Sequence, residues 1–447
     1  MEWRKVTAIL TAGVMALSLA ACGNSGSEET SNAGGADDDK LVIWTLSKDL
    51  EQFADKYKES TGVDCETVII EAGDYQTKVQ AAILAGEKEP DIIVGEPDML
   101  PSMMEAGLLE DLNQFGAEDY ADKIVDYVWE EGQDEEGIQR AISYQITPAG
   151  IYYRRDIAEN VFGTQDPEEI GKLFTDYDTI LDTAETLKSE GYKIFAADTE
   201  VEYFTGTEPW VVDGKVNVSQ TKKDYMDLSI ALYQGGYTAF ATQWTTPWYQ
   251  AMAGEIPVFD AETNLWDEEE REEAEKNAKE KTEVFAYGLP SWGVLVMRDH
   301  YQETEGKWGV CSGPDYGMGG GTYIGISSNS ERKDTAWDFI KFCTLTESTL
   351  EWWIEHSEGD TVSYIPTLEK HADDENETYG GQKLYKFWME QAEGLDLSKV
   401  TEYDRAIKDA WASAIDSTKT GEMTKEKAIE SFYDEVESTY PEIEIDR

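Results

Sequence analysis

Apolar residues in the first part of the chain follow two alternating periods. Residues 41–44 are uniformly apolar, whereas Leu46, Leu50, Phe53 and Tyr57 recur at spacings of four, three and four. The first pattern predicts a buried strand, and the second predicts one face of an α-helix.

The same two patterns continue through the next forty residues or so. Gly62 predicts the end of the first helix, because a left-handed residue ends many helices. Residues 65–70 predict a second strand, and a helix capped by Asp74 and ended by Gly86 leads to a third strand at 91–95. This βαβαβ order of apolar strands and amphipathic helices is typical of a parallel sheet covered on both faces.

A second α/β region is predicted from about residue 151 to residue 313. Helical patterns cover residues 177–189 and 223–234, and short strands are predicted at 194–196 and 285–287. Within it, residues 260–283 form an acidic segment in which Glu272–Lys276 and Glu275–Lys279 have the spacing of helical ion pairs. We therefore expect an exposed helical insertion there.

The last third returns to alternating strand and helix patterns. A strand is predicted at residues 323–326, followed by helices at 334–344, through Trp352, and at 382–392, 403–418 and 424–440. Trp337, Phe339, Trp388 and Trp411 lie on amphipathic helices and are expected in the core. Residues 40–447 are more than one core usually serves, so two domains are expected.

The N-terminus has the features of an export signal. Arg4 and Lys5 precede an apolar run over 6–19, which is too short to remain as a membrane-spanning helix. We predict a signal peptide at residues 1–21. The sequence Leu-Ala-Ala-Cys at 19–22 resembles the lipobox of bacterial lipoproteins, which implies lipidation of Cys22 and anchoring to the cell membrane. The polar residues 22–39 then form a tether.

Composition narrows the choice of partners. The chain has 93 acidic and 37 basic residues and a net charge of -56, which argues against nucleic acid as a partner. Its three histidines have no metal-binding spacing, so neither a metal nor a cofactor is expected. A Cys311–Cys343 disulfide and three buried thiols, including Cys65, are both open.

Several segments occur in the order found in a known family. They are Lys78–Ala82 with Pro90–Ile93, Met104–Leu112, Pro148–Asp156, Met252–Pro257, Gly319–Gly321 and Ala336–Phe342. In this order the chain resembles the extracellular solute-binding proteins of ATP-binding-cassette (ABC) importers, in the carbohydrate-binding family that includes maltose-binding protein. The resemblance covers residues 41 to about 411.

This resemblance implies an α/β, two-lobe periplasmic-binding-protein-like fold with discontinuous domains joined by a multi-segment hinge. Residues 40–146 with 324–356 would form the N-terminal lobe, and 147–323 with 357–447 the C-terminal lobe. The chain would cross between the lobes near 143–147, 320–323 and 353–364. It would act as a monomer, hold a sugar or oligosaccharide in the cleft, and deliver it to the permease subunits.

Candidate ligand contacts follow from the chemistry of sugars and from the edge of the predicted sheet. A sugar offers hydroxyls that need donors and acceptors, and an apolar face that packs on aromatic rings. Ligands of parallel sheets bind at the carboxyl ends of the strands, here residues 44–49 and 96–99. The candidates are Trp44, Lys48, Glu96, Asp98, Tyr144, Gln145, Trp244, Trp248, Trp292, Tyr323 and Trp353.

Other roles stay open for some of these residues. Trp44 suits the core as well as the cleft, Glu96 and Asp98 suit helix capping, and Lys48 suits a solvated helix start. The same fold with a polyamine or peptide as ligand is an alternative, since the surface is acidic. A glycoside-processing enzyme with two carboxylates is a further one, but the sequence has no catalytic motif, and we expect no enzyme.

Overall fold

A five-stranded sheet is built mostly from the N-terminal part of the region that the computed structural model describes, residues 40–395 and 400–445. The elements of this part are β1 (Leu41–Thr45), α1 (Asp49–Thr61), β2 (Cys65–Ile69), α2 (Ala72–Leu84), β3 (Ile92–Gly95), α3 (Leu100–Glu105), α4 (Asp126–Glu131) and β4 (Ala141–Ser143). Strand β1 pairs in parallel with both β2 and β3. The predicted βαβαβ unit is therefore confirmed.

Helix α1 forms as its sequence predicts. Leu50, Phe53 and Tyr57 are buried, and Gly62 ends the helix in the left-handed conformation with φ 80°. Helix α2 differs from the prediction at its start, because Glu71 and not Asp74 is the cap residue. Asp74 lies in the first turn and pairs with Lys78 at 3.0 Å. A carboxylate suits both positions, since either lies near the positive end of the helix dipole.

A second sheet, with four strands, is built from the middle of the chain. The elements of this part are β5 (Ala149–Arg154), α5 (Arg155–Phe162), α6 (Pro167–Gly171), α7 (Tyr177–Ser189), β6 (Lys193–Phe195), β7 (Val211–Val212), β8 (Lys215–Val216), α8 (Gln220–Gln234), α9 (Thr246–Ala253), β9 (Ile256–Pro257), α10 (Glu268–Asn277), β10 (Lys281–Thr282), β11 (Val284–Pro290), α11 (Gly293–His300) and β12 (Trp308–Cys311). The strand order is β12-β5-β11-β6. Strand β11 is fully buried, antiparallel to β5 and parallel to β6.

The C-terminal part contributes one strand to the first sheet and a series of helices. Its elements are β13 (Tyr323–Ile326), α12 (Lys333–Thr344), α13 (Glu347–Ser357), α14 (Ile365–His371), α15 (Leu384–Glu393), α16 (Asp404–Lys419) and α17 (Lys425–Thr439). Strand β13 inserts between β3 and β4 of the first sheet, antiparallel to both. Helix α16 packs against α17 and α8. Trp337, Phe339, Trp388 and Trp411 are buried, as predicted.

We call the first sheet with α1–α4, α12 and α13 the first lobe, and the second sheet with the other helices the second lobe. All of them belong to one compact unit, Lys40–Arg447. The chain passes between the sheets over residues 144–148 and 312–322. The exact residue boundaries of the two domains stay a prediction.

Buried hydroxyl groups tie the connecting segments together. The backbone N–H of Ser363 donates to the carbonyl of Tyr144 at 2.7 Å. The carbonyl oxygen of Ile146 accepts from the hydroxyls of Thr361 at 2.6 Å and Ser291 at 2.7 Å. Buried polar groups are costly to leave unpaired, so these bonds fix the segments to one another.

The acidic insertion is only partly helical. Helix α10 covers Glu268–Asn277, has no buried residue, and holds the predicted Glu272–Lys276 pair at 3.4 Å. The predicted helix continued to residue 283, but Lys281 and Thr282 instead pair with β9 as an antiparallel strand. Ala278 has extended backbone angles, which end the helix and turn the chain back toward the sheet.

Cys65, Cys311 and Cys343 are free thiols, so the Cys311–Cys343 disulfide does not form. Cys311 and Cys343 are buried, whereas Cys65 is half-buried and not buried as the other alternative had it. Cys311 and Cys343 belong to two separate hydrophobic clusters. The predicted signal peptide, Cys22 and the tether lie outside the described residues. Over the described ranges, no helix has the length and apolar character needed to span a membrane.

Candidate ligand-binding cleft

A cleft with a volume of about 540 Å³ lies between the two lobes. The first lobe contributes the residues that follow β3 and the end of α4, and the second lobe contributes aromatic loops and the start of α16. The lining consists of Glu96, Pro97, Asp98, Glu131, Glu202, Tyr203, Thr205, Gly206, Thr207, Glu208, Trp210, Lys222, Trp244, Trp292, Met318, Gly319, Gly320, Val400, Asp404, Arg405 and Lys408. This volume suits a small molecule of two or three rings.

The second-lobe wall of the cleft is aromatic. The rings of Trp244 and Trp292 have centroids 6.0 Å apart and an interplanar angle of 33°. Tyr203 meets Trp292 edge-on at 6.4 Å. The Trp292 Nε1 donates to the carbonyl of Gly319 at 2.8 Å, which fixes the orientation of its ring. The wall therefore offers a preformed apolar surface for a flat ligand face.

Trp244 is held in a strained backbone conformation. Its φ is 65°, in the left-handed region that costs a residue with a side chain about 1–3 kcal/mol. Trp248 packs beneath it with a centroid distance of 4.8 Å. The Trp248 Nε1 donates to Glu200 Oε1 at 2.7 Å, and burial raises the pKa of Glu200 to about 8. Packing and hydrogen bonds around Trp244 thus offset the strain and hold its ring in the cleft wall.

The first-lobe wall carries carboxyl groups that are partly shielded from water. Burial, and then the nearby charge of Asp98, raise the pKa of Glu96. Burial raises the pKa of Glu131 to about 7, although its side chain accepts a hydrogen bond from the Tyr323 hydroxyl. A carboxyl group near its pKa can both donate to and accept from a ligand hydroxyl.

Two cations from the first turns of α16 lie beside carboxylates of both lobes. Arg405 Nη1 lies 3.8 Å from Asp98 Oδ1, and Lys408 Nζ lies 2.8 Å from Glu202 Oε1. The Glu202 carboxylate is the main cause of the raised pKa of Lys408. Because α16 packs on the second lobe and Asp98 belongs to the first, the Asp98–Arg405 contact bridges the cleft.

A glycine-rich segment closes the floor of the cleft beside the aromatic wall. A Cβ atom at Gly317 would lie 2.0 Å from the carbonyl oxygen of Tyr203, and one at Gly319 would lie 2.2 Å from the Tyr203 ring. Only glycine permits so close an approach at these positions. The segment therefore supports Tyr203 and Trp292 from below.

A second cavity of about 400 Å³ adjoins the cleft and shares Pro97, Glu131 and Val400 with it. Apolar residues such as Leu100, Met104 and Tyr127 also line it. Its charged lining residues are all acidic: Glu105, Glu130, Glu131, Asp134, Glu135, Glu136 and Glu402.

Comparison with protein families identifies the chain. The family model described as bacterial extracellular solute-binding protein matches residues 52–382, which is well over half of the chain. This chain belongs to that family. The solute-binding protein is therefore extracytoplasmic. A search of curated protein sequences finds no match.

Solved structures share the fold of this solute-binding protein at low sequence identity. An extracellular solute-binding protein of family 1 superposes with a TM-score of 0.70 at 17% identity, covering 89% of this chain and 99% of the other. The binding protein of B. animalis subsp. lactis Bl-04, in complex with β-1,6-galactobiose, has a TM-score of 0.67 at 17% identity, covering 92% and 100%. The GacH receptor of Streptomyces glaucescens GLA.O, known with acarbose, gives 0.67 at 14% identity, covering 91% and 99%. The α/β two-lobe fold is thereby confirmed.

Four of the residues predicted as ligand contacts line the cleft of this solute-binding protein: Glu96, Asp98, Trp244 and Trp292. The other seven do not line it. Trp248 lies behind Trp244 and is fully buried, Trp44 is half-buried in β1, and Lys48 is exposed before α1.

Four of those seven are buried around the connecting segments. Tyr144 donates to Asp49 Oδ2 at 2.7 Å, and Trp353 stacks on Phe53 at 4.7 Å. Gln145 and Tyr323 are also buried. Tyr323 acts on the cleft indirectly, because its hydroxyl holds Glu131.

Sequence reasoning missed the lining residues that come from distant parts of the chain. Tyr203, Glu131, Arg405 and Lys408 all line the cleft. The aromatic residues of 203–210 lie in a non-periodic segment, and that signal favours a binding loop. Arg405 and Lys408 have no local signal. In the part of the chain that the structure describes, no group of three or more His, Cys, Asp or Glu is placed to hold a metal ion.

Proposed function

We propose that this protein captures a sugar or oligosaccharide in the cleft between its lobes and delivers it to the permease of an ABC importer. The observation that carries the proposal is the pairing of an aromatic wall, Trp244 and Trp292, with hydrogen-bonding carboxyl groups across the cleft. Sugar rings need both surfaces at once: an apolar platform for their C–H face and acceptors for their hydroxyls.

Proteins of the same fold support this ligand class. Two of them have been crystallised with β-1,6-galactobiose and with acarbose, and both are carbohydrates. Their sequence identity to this chain is below one fifth, so the proposal for this chain depends on its own aromatic wall.

Ligand capture would proceed by closure of the hinge. The second lobe holds the sugar on its aromatic wall, and Glu96, Asp98 and Glu131 of the first lobe complete the hydrogen bonds. The Asp98–Arg405 contact at 3.8 Å is then one of the links that favour the closed form. The permease would recognise this closed shape, and the ligand would leave chemically unchanged.

Membrane attachment belongs to the same proposal. The lipobox-like residues 19–22 support lipidation of Cys22, with the polar tether carrying the binding unit away from the membrane. Incorporation of labelled palmitate into the full chain in a bacterial host tests it. Label should be lost in Cys22→Ser, and equal labelling of that variant would refute the anchor.

A polyamine or a peptide is the second candidate ligand. The adjoining cavity favours it, because its seven charged lining residues are all carboxylates and would attract a cationic group. A neutral sugar gains nothing from this charge, so the two ligand classes can be separated by experiment.

The test is a thermal-shift screen of residues 40–447 against sugars, polyamines and peptides, followed by calorimetry of the hits. A ligand that binds only the folded state raises the melting temperature with the logarithm of its concentration. Stabilisation by polyamines or peptides alone would refute the sugar assignment, and hydrolysis of any glycoside would refute a purely binding role.

Variants of the aromatic wall test the geometry. Trp244→Ala and Trp292→Ala should each weaken sugar binding by about 1–3 kcal/mol, the range for buried aromatic contacts. Trp266→Ala is the matched control, since Trp266 is 64% exposed and lies outside the cleft lining. Unchanged affinity in both wall variants would remove the aromatic platform from the proposal.

A further inference from the structure

A small chamber adjoins the cleft on its second-lobe side. It has a volume of about 90 Å³ and shares Trp210, Lys222 and Lys408, among others, with the cleft lining. Its remaining walls include Trp411 and Tyr225. At about 15 Å³ for each water-sized probe, the side chamber has room for a group of a few heavy atoms.

Two buried donors of the side chamber have unused hydrogen-bonding capacity. Trp411 is 3% exposed, and its Nε1 has no acceptor among the described residues. Lys222 is also 3% exposed, and its Nζ donates to the carbonyl oxygens of Glu208 at 2.8 Å and Asn217 at 3.5 Å. The second of these contacts is at the limit of a hydrogen bond, and an ammonium group has three hydrogens to donate.

The acceptors of the side chamber, in contrast, already have partners. Glu202 pairs with Lys408 at 2.8 Å, and Asp416 pairs with Lys419 at 2.7 Å. Lys222 forms no direct ion pair among the described residues, although the charges of Asp404 and Glu208 act on it from farther away. Its Nζ lies 4.4 Å from the centroid of the Trp210 ring. The side chamber thus has spare donors and one buried cation that no carboxylate contacts directly, within a chain that has 93 acidic and 37 basic residues.

A group that only accepts hydrogen bonds and carries negative charge would satisfy this arrangement. A carboxylate has that character, with about four lone-pair sites and no hydrogen to donate. A neutral hydroxyl would leave the Lys222 ammonium without an anion in direct contact, which is unfavourable in a buried site. Trp210 belongs to both cavities, so a ring held in the cleft can direct a short substituent past it.

We propose that the side chamber binds the carboxylate of an acidic sugar held in the cleft, with Lys222 and Trp411 as its donors. This inference rests on the proposed sugar-binding function and narrows it to uronic acids and oligosaccharides that contain them.

The test compares acidic sugars with their neutral counterparts by calorimetry on residues 40–447. The pairs are galacturonic acid with galactose, glucuronic acid with glucose, digalacturonic acid with galactobiose, and cellobiouronic acid with cellobiose. In at least one pair the acidic member should bind tenfold or more tightly, as expected for charged hydrogen bonds. Equal or tighter binding of the neutral members would overturn this inference alone, and binding of no sugar would overturn the proposed function with it.

Variants assign the preference to the side chamber. Trp411→Phe removes the Nε1 donor but keeps an aromatic ring at the position, and Lys222→Met removes the charge. Either should reduce the preference for the acidic member about tenfold. Trp388→Phe is the matched control, because Trp388 is also buried with an unpaired Nε1 but lies outside both cavities.

Melting curves establish whether each variant is folded, and Trp411→Phe alone suffices should Lys222→Met fail to fold. A preference that persists in Trp411→Phe, or that falls equally in Trp388→Phe, would overturn the assignment to the side chamber.

Discussion

Replacing Glu200 by Gln should remove a large part of the pH dependence of this protein's stability. Glu200 is fully buried beneath the aromatic wall. Its carboxyl oxygens face the Trp248 Nε1 at 2.7 Å, the Gly288 N–H at 3.3 Å and the Gln243 Nε2 at 3.4 Å. No cation is among these partners, so burial dominates and the pKa is raised to about 8.

The direction of the effect follows from proton binding. In the unfolded chain the carboxyl ionises near 4.5, whereas in the folded protein it keeps its proton up to about pH 8. Between these two values the folded state binds more protons, so stability falls as the pH rises. The stabilising contribution is fully present below pH 4.5 and is lost by about pH 8.

The magnitude follows from the same two pKa values. One pH unit corresponds to about 1.36 kcal/mol, so the interval from 4.5 to about 8 corresponds to about 5 kcal/mol. Gln resembles the protonated carboxyl in size and charge, and it does not titrate. The Gln variant should therefore gain about 3–4 kcal/mol relative to the natural protein between pH 5 and pH 8.

Urea unfolding at pH 5, 6, 7 and 8 measures this difference. Burial also raises the pKa values of Glu131 and Asp360 to about 7. Both groups titrate in the natural protein and in the variant, so their contributions cancel in the difference of unfolding free energies. Glu269→Gln on the exposed helix α10 is the control for exchanging a carboxyl group for an amide. A difference for Glu200→Gln that stays within about 0.5 kcal/mol over this range would refute the reasoning.

Three further predictions concern two glycines and the free thiols. Gly288→Ala should destabilise the protein by about 3 kcal/mol, because a Cβ there would lie 1.8 Å from the Glu200 carbonyl oxygen. Gly73→Ala, with no atom within 4 Å of its Cβ, should instead stabilise helix α2 by about 0.5 kcal/mol; urea unfolding that ranks the two the other way would contradict this. In residues 40–447 a thiol reagent at pH 7 should label none of the three cysteines rapidly, because Cys311 and Cys343 are buried and burial raises the pKa of Cys65 to about 11. All three should react after denaturation, and fast labelling of any of them in the native protein would refute this prediction.

The sequence alone determined the local elements and the βαβαβ unit of the first sheet, but not the antiparallel insertion of β13. The spacing of Leu50, Phe53 and Tyr57, with Gly62 after them, is sufficient to define α1, because helix period and helix ending are properties of neighbouring residues. The sequence also placed Glu96 and Asp98 at the cleft. They follow a buried strand of a parallel sheet, and the carboxyl end of such a strand faces the ligand side.

Only the tertiary structure decided which aromatic residues face the cleft. Trp244 and Trp248 are four residues apart in one non-periodic segment, yet one lies in the cleft wall and the other is fully buried on Glu200. Removing an aromatic ring from water is favourable whether protein or ligand covers it, so the sequence does not distinguish a core ring from a cleft ring. Arg405 reaches Asp98 from about three hundred residues away, and its position is set by the packing of α16 on α8 and α17. Contacts of that kind depend on how whole elements pack, which a local pattern does not encode.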